Sequence, residues 1–442
     1  MTEDVKWDRE ADVVVLGSGG AAMTAAIAAY DFGARDVVIL KKSGMVGGTT
    51  AVSGGMLGIS GNHYQRDAGI EESDDDIVAC LDALAPGKLD PDTLGALMAS
   101  GPEMLRYFSE KTPVRFHVFA DFPDYQPYMP GAKPNGGRSL DNEAFSFDWL
   151  GKWAARVNPS KMAYPLRGSL TEPVTASLNK AALATREAQD YRGLGQALAG
   201  SLFLTILDRN IPVGFEKRAR KLNKDDAKDG ARVIGVIAQD ASGRDFRVRA
   251  RRGVVIATGG FKWNETLVKT FLRGALTDPV SVPENKSDGL LIAIEAGAQL
   301  GNMQNAFWMQ NVLEFKQPHR AAKPSYMLGS DERARPGAIL VNIAGKRFVN
   351  KADNYNAMGK ALHAFDARHH AYANLPYWLI IDHRYRNKYP TFNSVPGSPV
   401  PSYMMQAGAL GEAYGGAGGT LGPGMTFGNI AGRHLGRYIP NT

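Results

Sequence analysis

The residues best suited to chemistry stand in glycine-rich clusters that follow apolar runs. Near the start, Asp12-Val13-Val14-Val15-Leu16 breaks into Gly17-Ser18-Gly19-Gly20-Ala21-Ala22 and then into an alanine-rich segment reaching Tyr30. A β-branched run, a glycine turn and a strong helix former, in that order, make the pattern of a strand, tight turn and helix that carries a dinucleotide pyrophosphate. Gly17 permits the turn and Gly19 lets the backbone approach the phosphates. Gly20 and Ala21 open the helix, whose unpaired N–H groups meet the negative charge. Ala22 fills the third small position, where helix and strand pack closely. A second cluster, Gly47-Gly48-Thr49-Thr50-Ala51-Val52-Ser53-Gly54-Gly55, mixes small residues with hydroxyls. Such a loop can lie flat against a large planar ligand while hydrogen-bonding its polar edge. A third runs from Ala407 and Gly408 through Tyr414, Gly418, Thr420 and Leu421 to Gly428. A glycine series ahead of a helix offers backbone N–H groups to a negatively charged ring or to a carbonyl oxygen gaining charge.

These clusters need elements to hold them. Asp36 to Leu40 reads as a second strand that closes a βαβ crossover with the first. Such a strand ordinarily ends on an acid that holds the adenosine ribose. Here Lys41 stands in that place, which leaves the ribose to backbone groups or to a neighbouring side chain. Ser73 followed by Asp74, Asp75 and Asp76 reads as an N-cap and acidic first turn for a helical pattern that runs to Lys111, interrupted at Pro86-Gly87. Leu194-Gly195 opens another helix toward Leu207. Val233 to Ala238 and Arg247 to Ala250 read as a hairpin turning at Ala241-Ser242-Gly243, and Gly253 to Phe261 as a further, buried strand. Beyond about Leu272 the character changes to inserted material. A helix follows Ser287-Asp288-Gly289 to Gln299, Pro336 to Asn350 reads as strand, turn and strand, and Trp378 to Asp382 as one more strand.

Composition bounds the rest. The 442 residues can bury a large core in two or three domains, and 44% hydrophobic with 22% charged residues is ordinary for a soluble globular chain. The net charge of +6 is mild, and its local runs lack the interleaved aromatics of a nucleic-acid surface. One cysteine, Cys80, excludes an internal disulfide and suits a reducing compartment. No apolar run reaches the ~18 residues of a membrane span, and the polar start carries no signal-peptide pattern. The expectation is a cytoplasmic protein, free or at the periphery of a membrane. No ligand set for a metal stands out, since adjacent carboxylates on a helix point in different directions.

The glycine turn, the strand and G-G-T-T-A-x-S-G-G together resemble the flavoprotein superfamily of succinate dehydrogenase and fumarate reductase. Relatives with covalent flavin carry a histidine in this loop. None lies between Gly44 and Ser60, so the resemblance implies non-covalent FAD. It implies an α/β architecture: a Rossmann-like FAD-binding domain over 1–272, an inserted α+β substrate domain over 273–407, and a return to the FAD-binding domain over 408–442. In such flavoproteins A-T-G-G, here Ala257-Thr258-Gly259-Gly260, brings the chain back to the adenosine side of the cofactor.

Within that superfamily, Asp124-Tyr125-Gln126-Pro127 with Gly136-Gly137-Arg138-Ser139-Leu140 is similar to a motif of the 3-ketosteroid dehydrogenases, whose tyrosine lines the active site and maps onto Tyr125. Their R-F-x-N motif matches Arg347-Phe348-Val349-Asn350, and the tyrosine after it, a proton acceptor, maps onto Tyr355. The Δ1-type pattern Y-x-G-x-G ahead of a G-P-A-M-T-F-G-like run places Tyr414 and Gly418, with Gly424 where alanine is usual. Oxidising a carbon–carbon bond beside a ketone removes an α proton and a β hydride, and the hydride acceptor is flavin chemistry. The resemblance thus implies that the Tyr414 hydroxyl and Gly418 N–H hold the ketone oxygen and Tyr355 takes the proton. A phenol, which ordinarily titrates near ~10, must be lowered to do so. Tyr125 would support it through a hydrogen bond.

The implied partners are a lipophilic cyclic ketone, above all a 3-ketosteroid, and an electron acceptor that the sequence does not name. A fumarate-reductase-like enoate reductase would need arginines and histidines around its dicarboxylate. A Δ4-(5α)-ketosteroid or smaller cyclic ketone as substrate stays open, as does a flavin-binding role without turnover. The family also holds more chain than the interval from Tyr389 to Gly408 supplies. A natural shortening and an omitted segment both fit, and a backbone break between Asn393 and Gly408 would distinguish them.

Overall fold

A computed structural model describes residues 6–160, 169, 180–225, 232–274, 276, 279–312, 326–327, 330–391 and 396–398. The described residues group into two compact units. Met1–Thr270 with Pro279–Gly301 bounds the first; the second comprises the described parts of 271–278 and 302–398.

The first unit is built on a six-stranded sheet. In chain order its strands are β1 (Arg9–Leu16), β2 (Val37–Leu40), β3 (Val213–Gly214), β4 (Arg218–Lys224), β5 (Val233–Gln239) and β6 (Asp245–Ile256), arranged β3-β2-β1-β6-β5-β4. β1 runs parallel to β2 and β6, and β2 parallel to β3. β5 is antiparallel to both β4 and β6. Covered on both faces, β1 and β2 read as continuous apolar runs. Val15, Val37 and Ile39 face a core shared with Met23, Ala26 and Ile27 of helix α1 (Gly20–Asp31) and with Leu198, Leu202 and Ile206 of helix α2 (Leu194–Asp208). Val14, Leu16, Val38 and Leu40 face the other way, against Val236, Val248 and Ile292. Each buried Val, Leu, Ile or Met among them contributes about 1.5–3 kcal/mol by leaving water.

The helical pattern after Ser73 resolves into two helices, Asp74–Leu84 and Pro91–Lys111. The Ser73 hydroxyl accepts from the Asp76 N–H at 3.1 Å, as its N-cap position requires.

Two expectations need correction. The hairpin's second strand and the strand expected to start at Gly253 are one element, β6, and its last four residues are half-buried rather than buried. Arg251 and Arg252 do not break the strand, because neighbouring acids take up their charge. Arg251 reaches Asp12 at 2.9 Å and Glu10 at 3.7 Å, and Arg252 reaches Asp12 at 3.8 Å. In the second unit, Pro336 to Asn350 holds one strand, β7 (Ala338–Asn342), and not two. The Asn342 carboxamide accepts from the N–H groups of Ala344 and Lys346, at 3.1 and 3.0 Å, and closes the turn. β7 then pairs antiparallel with β8 (Tyr377–Ile381), which supplies the edge expected from 346–350.

Candidate active site

At the C-terminal ends of β1, β2 and β6 the first unit draws the first two glycine clusters together. Gly17 has a φ of +110°, and a Cβ there would stand 2.3 Å from the carbonyl oxygen of Ala257, so only glycine admits the close approach. The Ala257 N–H donates to the Leu16 carbonyl at 2.9 Å, and the Gly17 N–H to the Leu40 carbonyl at 3.0 Å. The turn is thereby pinned between the two neighbouring strand ends.

The hydroxyl-bearing loop lies on that turn. Gly47 donates to the Ser18 carbonyl at 2.8 Å, and the Gly20 N–H donates to Thr50 Oγ1 at 2.9 Å. Gly19 and Gly48 approach each other, as a Cβ on Gly48 would lie 3.7 Å from the Gly19 Cα. Ser53 Oγ donates to the Thr50 carbonyl at 2.8 Å and accepts from the Gly55 N–H at 3.1 Å. The Ser53 carbonyl takes the Gly195 N–H at 3.0 Å, which fixes the loop, Gly54 included, to the start of α2. Thus Gly17, Gly19, Gly20, Gly48, Thr49, Thr50, Ser53, Gly55, Ala257, Thr258 and Gly259 form one neighbourhood, with Ala21 in the first turn of α1 and Lys41 directly after β2.

This neighbourhood fits a flavin dinucleotide. Helix α1 begins at Gly19-Gly20 with no acid in its first turn, and beyond the Gly20 N–H, which Thr50 Oγ1 takes, its positive end suits an anion. Ser18 is 2% exposed and its hydroxyl has no partner among the described residues. A buried hydroxyl without a partner costs free energy unless a ligand supplies the hydrogen bond.

A further segment, 281–289, belongs to the same neighbourhood, and the sequence reading missed it as part of the site. Asn285 Nδ2 donates to Thr49 Oγ1 at 2.8 Å, and its Oδ1 would stand 2.9 Å from a Cβ on Gly259, whose φ is +81°. The Trp263 N–H donates to the Asn285 carbonyl at 3.1 Å, and its indole N–H to the Ser281 carbonyl at 3.0 Å. Helix α3 (Asp288–Glu295) starts against Thr258; a Cβ on Gly289 would come within 2.2 Å of Thr258 Oγ1. Asp288 closes the clamp, with Lys42 Nζ and Arg218 Nη2 each at 2.7 Å. Burial pushes the Asp288 carboxyl up, but hydrogen bonds from Arg218 and Lys42 outweigh it and hold the group below its ordinary range. The visible signal was the polar, small run Asn285-Lys286-Ser287-Asp288-Gly289 soon after A-T-G-G.

The candidate catalytic residues are divided. Tyr125 belongs to the first unit and is 41% exposed, with its ring edge against Phe122 at 6.3 Å, and Phe122 stacks on Phe119 at 4.8 Å. Tyr355 belongs to the second unit, as the first residue of helix α4 (Tyr355–Leu362). Asn354 caps that helix by accepting from the N–H groups of Asn356 and Ala357, and the Tyr355 carbonyl accepts from Gln310 Nε2 at 2.7 Å. Gly408, Tyr414, Gly418, Thr420 and Leu421 lie outside the described residues, as does most of the interval from Tyr389 to Gly408. Among the described residues, no helix is long and apolar enough to cross a membrane, and no group of three metal-ligating side chains assembles.

Comparison with known proteins agrees with this architecture. A family model described as FAD binding domain matches residues 12–419. The chain is 35% identical over 410 residues to the 4-oxocyclohexanecarboxylate 2-dehydrogenase of Sinomonas cyclohexanicum, covering 91% of this chain and 69% of that protein. It is 31% identical over 439 residues to the 3-oxosteroid 1-dehydrogenase of Mycobacterium tuberculosis, covering 92% and 74%. The solved structure of 3-ketosteroid delta1-dehydrogenase from Sterolibacterium denitrificans, in complex with 1,4-androstadiene-3,17-dione, superimposes with a TM-score of 0.79 at 31% identity, over 90% of this chain and 73% of that one. The chain therefore belongs to the FAD-binding flavoproteins of the fumarate reductase and succinate dehydrogenase superfamily, and within them to the FAD-dependent oxidoreductases of the 3-ketosteroid dehydrogenase type.

Proposed function

We propose that this chain introduces a carbon–carbon double bond beside the ketone of a six-membered ring, and that its substrate is a 3-ketosteroid desaturated at positions 1 and 2. One observation carries the reading. The relatives that match nine-tenths of the chain at 31–35% identity are named for dehydrogenating ring ketones. Bound FAD supplies the acceptor for the β hydride. The chain's own residues supply the rest. Tyr355 takes the α proton, with Tyr125 supporting it through a hydrogen bond. The Tyr414 hydroxyl and Gly418 N–H hold the ketone oxygen as it gains enolate charge, a contribution of ~100-fold or more in rate per donor. The turn at Gly17 to Ala21, the loop from Gly48 to Gly55, Lys41, Ala257 to Gly259 and the tail at Gly408, Thr420 and Leu421 hold the cofactor. No histidine lies in the loop between Gly44 and Ser60, so the flavin is held without a covalent bond.

A second reading has a specific observation in its favour. The oxocyclohexanecarboxylate enzyme is the more similar of the two relatives, which favours a small cyclic keto acid. Mixing the flavin-loaded protein with substrate under anaerobic conditions separates the readings. Bleaching by a saturated 3-ketosteroid and not by 4-oxocyclohexanecarboxylate supports the steroid, and the reverse supports the keto acid. A flavin spectrum that ignores both compounds removes the proposal. Release of the flavin on acid precipitation tests the non-covalent attachment.

A further inference from the structure

Lys41 directly follows β2, at the position where a carboxylate ordinarily accepts hydrogen bonds from the hydroxyls of an adenosine ribose. The residue is 8% exposed. Its backbone is held on both sides, since its N–H donates to the Gly214 carbonyl and its carbonyl accepts from the Lys217 N–H, both at 2.9 Å. The adjacent Lys42 is committed to Asp288. Lys41 has no such commitment: its ammonium makes no side-chain hydrogen bond or ion pair among the described residues. An ammonium is costly to bury without a partner, and burial accordingly lowers its proton affinity, with Glu284 the opposing charge that offsets this.

Glu284 sits on the segment that clamps the cofactor loop. Its neighbour Asn285 is tied to Thr49 by the side chain and to Trp263 by the backbone. Lys42, the residue after Lys41, reaches Asp288 at 2.7 Å, which brings the segment holding Glu284 to the end of β2 although the two lie far apart in the chain. A ribose hydroxyl both donates and accepts, so an ammonium and a carboxylate can share one diol, where a lone carboxylate can only accept from it.

We infer that Lys41 and Glu284 together form the ribose site of this chain. Lys41 donates to the hydroxyl oxygens, and Glu284 accepts their protons in place of the missing strand-end acid. The pair leaves the site neutral, where an acid at position 41 would make it negative. The inference concerns how the cofactor is held and stands whether or not the ketone reading does.

The test uses cofactor-free protein with ADP and 2′-deoxy-ADP as probes, their dissociation constants measured by calorimetry. Wild type should prefer ADP by about tenfold or more, the scale of a hydrogen bond to a charged group. Lys41→Met and Glu284→Gln should each bring the ratio close to one. Lys41→Arg keeps the cation and should keep the preference, which separates loss of the contact from loss of the fold. A wild-type protein without preference, or a ratio that survives in either neutral variant, overturns the pairing.

Discussion

The guanidinium of Arg138 is bound to the carboxylate of Asp124, the residue directly before Tyr125. The same side chain donates from Nε to Glu72 at 2.8 Å and from Nη2 to the Gly131 carbonyl at 2.9 Å. Asp124 in turn closes its own loop. Its N–H donates to the Lys133 carbonyl at 3.1 Å, and its Oδ2 accepts from the Lys133 N–H at 2.8 Å. The arginine of G-R-S-L therefore fixes the aspartate of D-Y-Q-P. Arg138→Leu should destabilise the protein by about 3–5 kcal/mol, because the Glu72 side chain, 1% exposed, is left as an unpaired buried charge. The midpoint of urea unfolding checks it, and a variant within ~1 kcal/mol of wild type would show the network to be dispensable.

Gly17 and Gly33 give a matched pair of substitutions. Both have a φ near +110°, but a Cβ on Gly33 meets nothing within 4 Å, whereas one on Gly17 meets the Ala257 carbonyl at 2.3 Å. Gly33→Ala should cost only the backbone strain, about 1–3 kcal/mol, with flavin content unchanged. Gly17→Ala must also push the end of β6 off the turn, and should purify with little flavin. The ratio of flavin to protein absorbance reads the difference. Equal flavin content in the two variants would mean that the close approach is not needed.

Much of this site was legible because short-range rules write it. Strand, glycine turn and helix from Asp12 to Tyr30 are local, and so are the Ser73 cap and the small hydroxyl loop. What escaped depends on contacts distant in the chain. The charged stretch Arg251-Arg252 looks like a strand end until Asp12 and Glu10 are known to lie beside it. Asn285 and Asp288 look like ordinary loop and helix-start residues until Thr49, Lys42 and Arg218 are placed against them. Pairing of β7 with β8 rather than with 346–350 likewise joins segments some 40 residues apart, so only tertiary structure decides it.

Asp288 predicts a pH dependence. Its carboxyl is held below the ordinary range in the folded protein, so the unfolded chain binds the proton more readily. The stability it contributes is fully present above the unfolded value, near ~3.9, and is lost as pH falls through the lower folded value. Asp288→Asn should therefore melt at a lower temperature than wild type at neutral pH, and the two melting curves should converge in strong acid. A gap that persists unchanged in strong acid would assign the effect to shape rather than charge.

Tyr355→Phe tests the proposed proton acceptor most directly. The substitution removes one hydroxyl and leaves the ring, and the backbone contacts of Tyr355, with Asn354 as cap and Gln310 on its carbonyl, do not use that hydroxyl. The fold of α4 and the flavin content should be unchanged. A positioned acid–base group is worth roughly 100-fold to 10,000-fold, so turnover on the ring ketone should fall by at least ~100-fold. Anaerobic exchange of deuterium from the α carbon into solvent isolates the step, since it needs proton removal but no net oxidation. Wild type should wash the label out and Tyr355→Phe should retain it. Washout at the wild-type rate in the variant would move the base to another residue, even if overall turnover were slowed.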